Sequence, residues 1–112
     1  MSEIDHILKK FDKKPNQKNL TSFFIQMGAS GFYPLLNHYD INLVSELEMK
    51  MNLQEAKKYF EHFMKNSKNH ETVKRKRMFL ETRQIDERLL VTKALLTMVE
   101  SEMIDKKDHH IH

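Results

Sequence analysis

The 112-residue chain contains no cysteine. That excludes disulfides, thiolate nucleophiles and cysteine-based zinc sites. Glycine and proline are scarce: Pro15, Gly28, Gly31 and Pro34 are all there are, and nothing of either kind follows Pro34. Sheet proteins need turns, and turns draw on glycine, proline or clustered Asn and Asp. The last two thirds of the chain are therefore expected to be helices joined by short polar connections. Long hydrophobic runs are missing too, and no apolar stretch approaches the roughly 20 residues that cross a bilayer. The opening residues, Met1 to His6, are acidic and amphipathic, not basic and then apolar. Neither a signal peptide nor a membrane partner is expected, and a cytoplasmic location is.

What the chain does have is apolar mass: 39% hydrophobic residues, with seven Phe and eight Met, which separates it from disordered sequences. One helical domain is expected over residues 1–104, with 105–112 as a polar, frayed tail. The expected architecture is mostly α, a compact multi-helix domain with a long C-terminal helix.

Apolar spacing places the helices. Ile4, Ile7, Leu8 and Phe11 share one face of a first helix over 3–14, which Pro15 ends. Leu20, Phe23, Phe24 and Met27 mark a second, interrupted by the Gly28–Gly31 stretch, which suits a tight corner between helices. Phe32, Leu35, Leu36 and Tyr39 predict a short third helix, and Leu43, Val44, Leu47 and Met51 the inner face of a fourth over 42–51. Asn52 and Glu55 form a capping-box pair ahead of a fifth helix that carries Leu53, Ala56, Phe60, Phe63 and Met64. From His70 to Asp105 two readings stay open. Met78, Ile85, Leu89, Leu96, Val99 and Met103 fit interleaved seven-residue spacings, with Thr82 and Thr92 filling seam positions, as in one long helix. Alternatively 78–82 and 88–92 are strands of a small β-hairpin, followed by a closing helix from Lys93, in a winged helix-turn-helix.

The charge is unevenly spread. The net formal charge is only +3, yet Lys57, Lys58, Lys65, Lys68, Lys74, Arg75, Lys76 and Arg77 face just Glu61 and Glu71 in one window. Such density can neutralise several phosphates. The plainer reading is a solvated helix face. A helix-turn-helix fits over 43–67, with a turn at Asn52 and Leu53 to Met64 as the reading helix. Asp86-Glu87-Arg88, following Arg83, resembles the Asp-x-Arg wing segment of the MarR/SarA type of winged-helix regulators. The resemblance covers these few residues, and the chain departs from it at Glu48 and Lys58. It implies that Gln54, Lys57, Lys58 and His62 approach base edges or phosphates while Lys74, Arg75, Arg77 and Arg83 hold the backbone; Lys65, Lys68 and Lys76 belong to the same basic surface.

No catalytic constellation converges, and the chain is expected not to be an enzyme and to hold no cofactor. The serines lie outside any nucleophile-elbow pattern. His109, His110 and His112 cluster in the tail, without the supporting shell that orients metal ligands, so no metal site is expected. The expected function is that of a small DNA-binding regulatory protein of bacterial type that acts on duplex DNA by occupancy. It would be a homodimer through Ile85, Leu89, Leu96, Val99 and Met103, as many such regulators are. The rival is a helical protein-interaction module, an inhibitor or adaptor that lays an amphipathic face into a partner's groove and binds no nucleic acid.

Overall fold

A computed structural model describes residues 17–111, with side chains described over 20–105. The first helix expected from the sequence lies outside these residues. Five helices follow: α1 (Gln17–Ala29), α2 (His38–Glu46), α3 (Leu53–Asn66), α4 (Val73–Glu81) and α5 (Ile85–Ile111). No strand occurs among the described residues. The mostly α class with a long C-terminal helix holds, and the hairpin over 78–92 does not.

Helix α5 organises the rest, because α1, α2 and α3 each pack on it. Leu89, Val91, Thr92, Ala94, Leu95, Met98 and Val99 are buried on it. At 3.6 residues per turn these positions span roughly 220° of the helix. A helix covered so broadly is a core element, not a surface helix with one apolar stripe. Its backbone runs through the stretch expected as a tail, up to Ile111.

The core grows outward from α5 as a chain of rings. Phe23, Phe24, Phe60, Phe63 and Phe79 follow one another at centroid separations of 5.7, 6.1, 6.1 and 6.1 Å, linking α1, α3 and α4. Those spacings are the ones aromatic pairs prefer. Gly28, in the last turn of α1, lies where a Cβ would stand 2.5 Å from Val99 Cγ2 and 2.9 Å from Tyr33 Cε1. The α1 corner therefore closes onto α5 only with glycine there, and Gly31 beyond it takes a φ of +91°.

The third and fourth helices of the sequence reading are redrawn. Residues 32–36 form a turn, with Leu36 N–H donating to Tyr33 C=O at 3.2 Å, so Phe32 and Tyr39 are exposed while Leu35 and Leu36 are buried. The helix starts later because Asn37 caps it: its Oδ1 accepts from Asp40 N–H at 2.7 Å. It also stops sooner. Met49 N–H donates to Val44 C=O and Glu48 N–H to Ser45 C=O, at 3.3 and 3.1 Å. This is a Schellman stop, with Glu48 at φ +51° in the place that glycine usually takes. Leu47, expected inward, is 57% exposed. Glu48→Gly should remove the left-handed penalty and raise stability by about 1 kcal/mol, read as a higher urea midpoint at unchanged slope.

Helix α3 forms as its sequence demands. Asn52 Oδ1 accepts from Glu55 N–H at 2.8 Å and Glu55 Oε1 accepts from Asn52 N–H at 3.3 Å. The segment from His70 to Asp105 is neither one helix nor a hairpin plus helix. It is two helices broken at Thr82–Gln84. Thr82 Oγ1 donates to Phe79 C=O at 2.6 Å, and Arg83 N–H donates to Leu80 C=O at 3.0 Å, which closes α4. Asp86 and Glu87 then sit in the first turn of α5, where the helix dipole favours acidic side chains. The residues that resemble a wing are this helix start.

Arg88, the last of them, fastens the break to the rest of the molecule. Its Nε and Nη2 donate to the Asp40 carboxylate at 3.1 and 3.4 Å, and its Nη1 donates to Arg83 C=O at 3.2 Å. Asn37 Nδ2 donates to the same carboxylate at 3.2 Å. The cap of α2, the end of α4 and the start of α5 thus meet in one polar knot.

Candidate nucleic-acid interface

Burial sorts the basic residues by helix face. On α3, Ala56, Phe60, Phe63 and Met64 point into the core. Gln54, Lys57, Lys58, His62 and Lys65 are left exposed, as is Lys68 in the connection that follows. On α4 the inward positions are Val73, Lys76 and Leu80, one face at spacings of three and four. Lys74, Arg75 and Arg77 are exposed, and Arg83 is half-buried beyond the helix end. The unbroken run of four cations is therefore split, three outward and one inward.

Lys76 is 1% exposed. Its Nζ donates to Ser67 C=O at 2.8 Å and to Ser67 Oγ at 3.3 Å. Ser67 is the C-cap of α3, so the ammonium sits at the negative end of that helix. The arrangement locks the α3–α4 corner, and it removes Lys76 from any surface that a partner could touch. Burial pushes its pKa below the ordinary lysine value of 10.5. The charged form carries a penalty in the fold that it lacks in the unfolded chain. The Lys76 contribution to stability is thus least favourable at neutral pH and improves as pH rises from the lowered folded value toward 10.5. Wild type should gain on Lys76→Met in urea midpoint across that window, and a difference flat in pH would count against the buried ammonium.

The exposed cations are only partly neutralised. Lys65 pairs with Glu61 at 3.5 Å, Arg77 with Glu81 at 3.9 Å and Arg83 with Glu87 at 2.9 Å. The first two are solvent-exposed pairs within a helix, the third joins the α4–α5 break to the first turn of α5, and such pairs at the surface are readily exchanged. Lys57, Lys58, Lys68, Lys74 and Arg75 form no ion pair among the described residues. Beside them, His70 stacks on Phe79 at 4.5 Å with the rings 22° apart, and the Arg83 guanidinium lies 5.3 Å from the centre of the Phe79 ring. A shallow pocket of about 230 Å³ opens there, between His70, Arg75, Met78, Phe79 and Thr82.

The tight helix-turn-helix expected over 43–67 is not formed. Helix α2 ends at Glu46 and α3 begins at Leu53, with an irregular connection between them. Both pack on α5 much more than on each other. The residues proposed to read bases are surface residues of α3, and His62 shares a 3.1 Å contact with Asn66 Nδ2.

The residues of the expected dimer seam are divided between core and surface. Leu89 and Val99 are core residues and Leu96 is half-buried, while Ile85 and Met103 are 42% and 52% exposed. The broad burial of α5 accounts for the buried members: Leu89 and Val99 belong to the surface of α5 that packs in the core.

A larger apolar groove of about 580 Å³ lies between α1 and α3. Ile25, Phe60, Met64 and Met98 make its apolar lining, and Lys57, Glu61 and Lys65 run along one rim. No single stretch signals it, since its walls come from three helices. Among the described residues no group of three or more His, Cys, Asp or Glu is placed to hold a metal ion, and no helix is long and apolar enough to cross a membrane. Comparison with known protein families, curated proteins and solved structures finds no significant match.

Proposed function

We propose that this chain is a noncatalytic binding protein that holds duplex DNA by its phosphates, through the exposed cations of α3, α4 and the corner between them. One observation carries the reading. Seven of the eight basic residues between Lys57 and Arg77 face outward, and five of these have no carboxylate partner among the described residues. A surface held cationic in this way attracts a polyanion and releases counterions when it binds one. The corner is also pre-shaped, because the Lys76–Ser67 bonds and the His70–Phe79 stack fix α4 against the end of α3. Recognition through phosphates positions a protein on DNA without selecting sequence. A regulatory role would then be exerted by occupancy.

The test is fluorescence anisotropy with random-sequence duplex DNA over a salt series. With five phosphates neutralised, the log–log slope should be about −4.5, an affinity loss of about 500-fold between about 50 and 200 mM salt. Absence of binding at the lowest salt would sink the proposal and turn attention to an acidic protein partner.

A further inference from the structure

Helix α4 carries a second stripe that phosphate binding does not explain. Arg75, Met78, Phe79 and Thr82 recur at i, i+3, i+4 and i+7. This stripe is separate from the inward one of Val73, Lys76 and Leu80. With His70 from the α3–α4 connection it lines the pocket of about 230 Å³. We propose that this pocket receives one unpaired base of the DNA whose phosphates the surrounding cations hold. The inference rests on the DNA reading and deepens it: the preferred ligand is a duplex that carries an extrahelical base, not a fully paired one.

The lining has the chemistry of a platform for a flat π system. Proteins hold unpaired bases on aromatic rings and on guanidinium planes, and a thioether makes favourable contacts with a ring. Here the lining supplies the His70 imidazole, the Phe79 ring, the Arg75 guanidinium and the Met78 thioether. Met78 is 56% exposed, an apolar side chain for which a phosphate contact has no use. Volume limits the occupant to one ring system, since sites that enclose a drug-sized ligand run to about 300–1,000 Å³.

The platform is built in advance. Phe79 packs on Phe63 at 6.1 Å and on His70 at 4.5 Å, and its carbonyl accepts from Thr82 Oγ1 at 2.6 Å. A fixed platform spares the ordering cost that binding otherwise carries.

Charge selects a nucleotide over an apolar side chain of a protein. No acidic residue lines the pocket. From Lys68 to Arg83 the cations other than buried Lys76 are Lys68, Lys74, Arg75, Arg77 and Arg83, and they outnumber Glu71 and Glu81. Arg75 both lines the pocket and has no carboxylate partner among the described residues. A nucleotide joins a flat ring to a phosphate in one unit, which suits a pocket whose rim is itself a cation. The Thr82 hydroxyl proton is already committed to Phe79 C=O. Stacking tolerates any base, because each has a π-face.

Fluorescence anisotropy at one salt concentration tests this with three duplexes of a single sequence: fully paired, with one bulged adenine, and with an abasic bulge at the same place. One stacked base contributes a factor of roughly 5 to 150 in affinity. The bulged-adenine duplex should therefore bind at least about fivefold tighter than the paired one, and a bulged thymine should gain similarly. The abasic bulge shares the bend but has no base, so it should bind like the paired duplex. Met78→Ser, at an exposed position of α4, should bring the bulged-adenine duplex to the affinity of the paired one. Equal binding of the adenine and abasic bulges, no gain from the adenine bulge, or a gain that survives Met78→Ser would overturn the proposal and leave the phosphate reading standing. Absence of binding to all three duplexes would instead defeat the phosphate reading, and this inference with it.

Discussion

Arg88→Met should cost about 3–5 kcal/mol of stability, among the largest losses expected of any single substitution here. The reason is the residue left behind. The Asp40 side chain is 2% exposed and accepts from Arg88 at 3.1 and 3.4 Å. Without the guanidinium it retains only the 3.2 Å bond from the Asn37 amide. A buried carboxylate deprived of its cation carries most of its desolvation penalty uncompensated. The same change also leaves Arg83 C=O without its Nη1 donor at the α4–α5 break. For a domain of this size the loss should lower Tm by roughly 15 °C. Adding Asp40→Asn to Arg88→Met should recover part of the loss, because the charge is then gone as well. A loss below about 1 kcal/mol in urea unfolding would mean that the pair behaves as a surface ion pair.

Phe24→Ala should cost a similar amount, about 3–5 kcal/mol, for a different reason. Phe24 is 0% exposed and meets Phe60 edge-to-face at 6.1 Å and Phe23 at 5.7 Å. It is the ring that joins α1 to α3 in the ring chain, where packing on both sides hinders collapse into the cavity. Phe32→Ala is the matched control. The apolar spacing of the sequence places Phe32 on an inner helical face, whereas the turn at 32–36 leaves it 46% exposed. Its truncation should change stability by less than about 1 kcal/mol. Equal losses at the two positions would contradict the turn.

These two cases show which parts of the molecule local sequence encodes. The capping box at Asn52 and Glu55 and the face of Ala56, Phe60, Phe63 and Met64 are local in origin, and α3 forms as those residues indicate. The end of α2 is local too, but its residue is atypical: Glu48 occupies a left-handed position that turn chemistry assigns to glycine or asparagine. The break at Thr82 is hidden by an apolar spacing that runs through it, from Met78 to Ile85, and both of those residues are exposed. A first turn containing Asp86 and Glu87 was the available signal that a new helix begins there. The Asp40–Arg88 pair joins residues 48 apart, and no local pattern announces it.

The basic surface was legible as composition and only partly legible as geometry. A run of four consecutive cations cannot lie on one side of a helix, because successive residues turn by about 100°. Val73, Lys76 and Leu80 share the inward face, which the spacing around the run already contains. The charge count gives eight cations in the window, and the helix phase leaves seven of them outward.

The most direct test of the central claim compares salt slopes of duplex DNA binding for single substitutions inside the run. Lys74→Gln and Arg75→Gln should each flatten the log–log slope by about 1, as expected when one phosphate contact is lost. Lys76→Met, checked for an intact fold by circular dichroism, should leave the slope unchanged, because its ammonium is bound to Ser67 inside the α3–α4 corner. A flattened slope for Lys76→Met, or unchanged slopes for both Lys74→Gln and Arg75→Gln, would contradict binding by the outward face of α4.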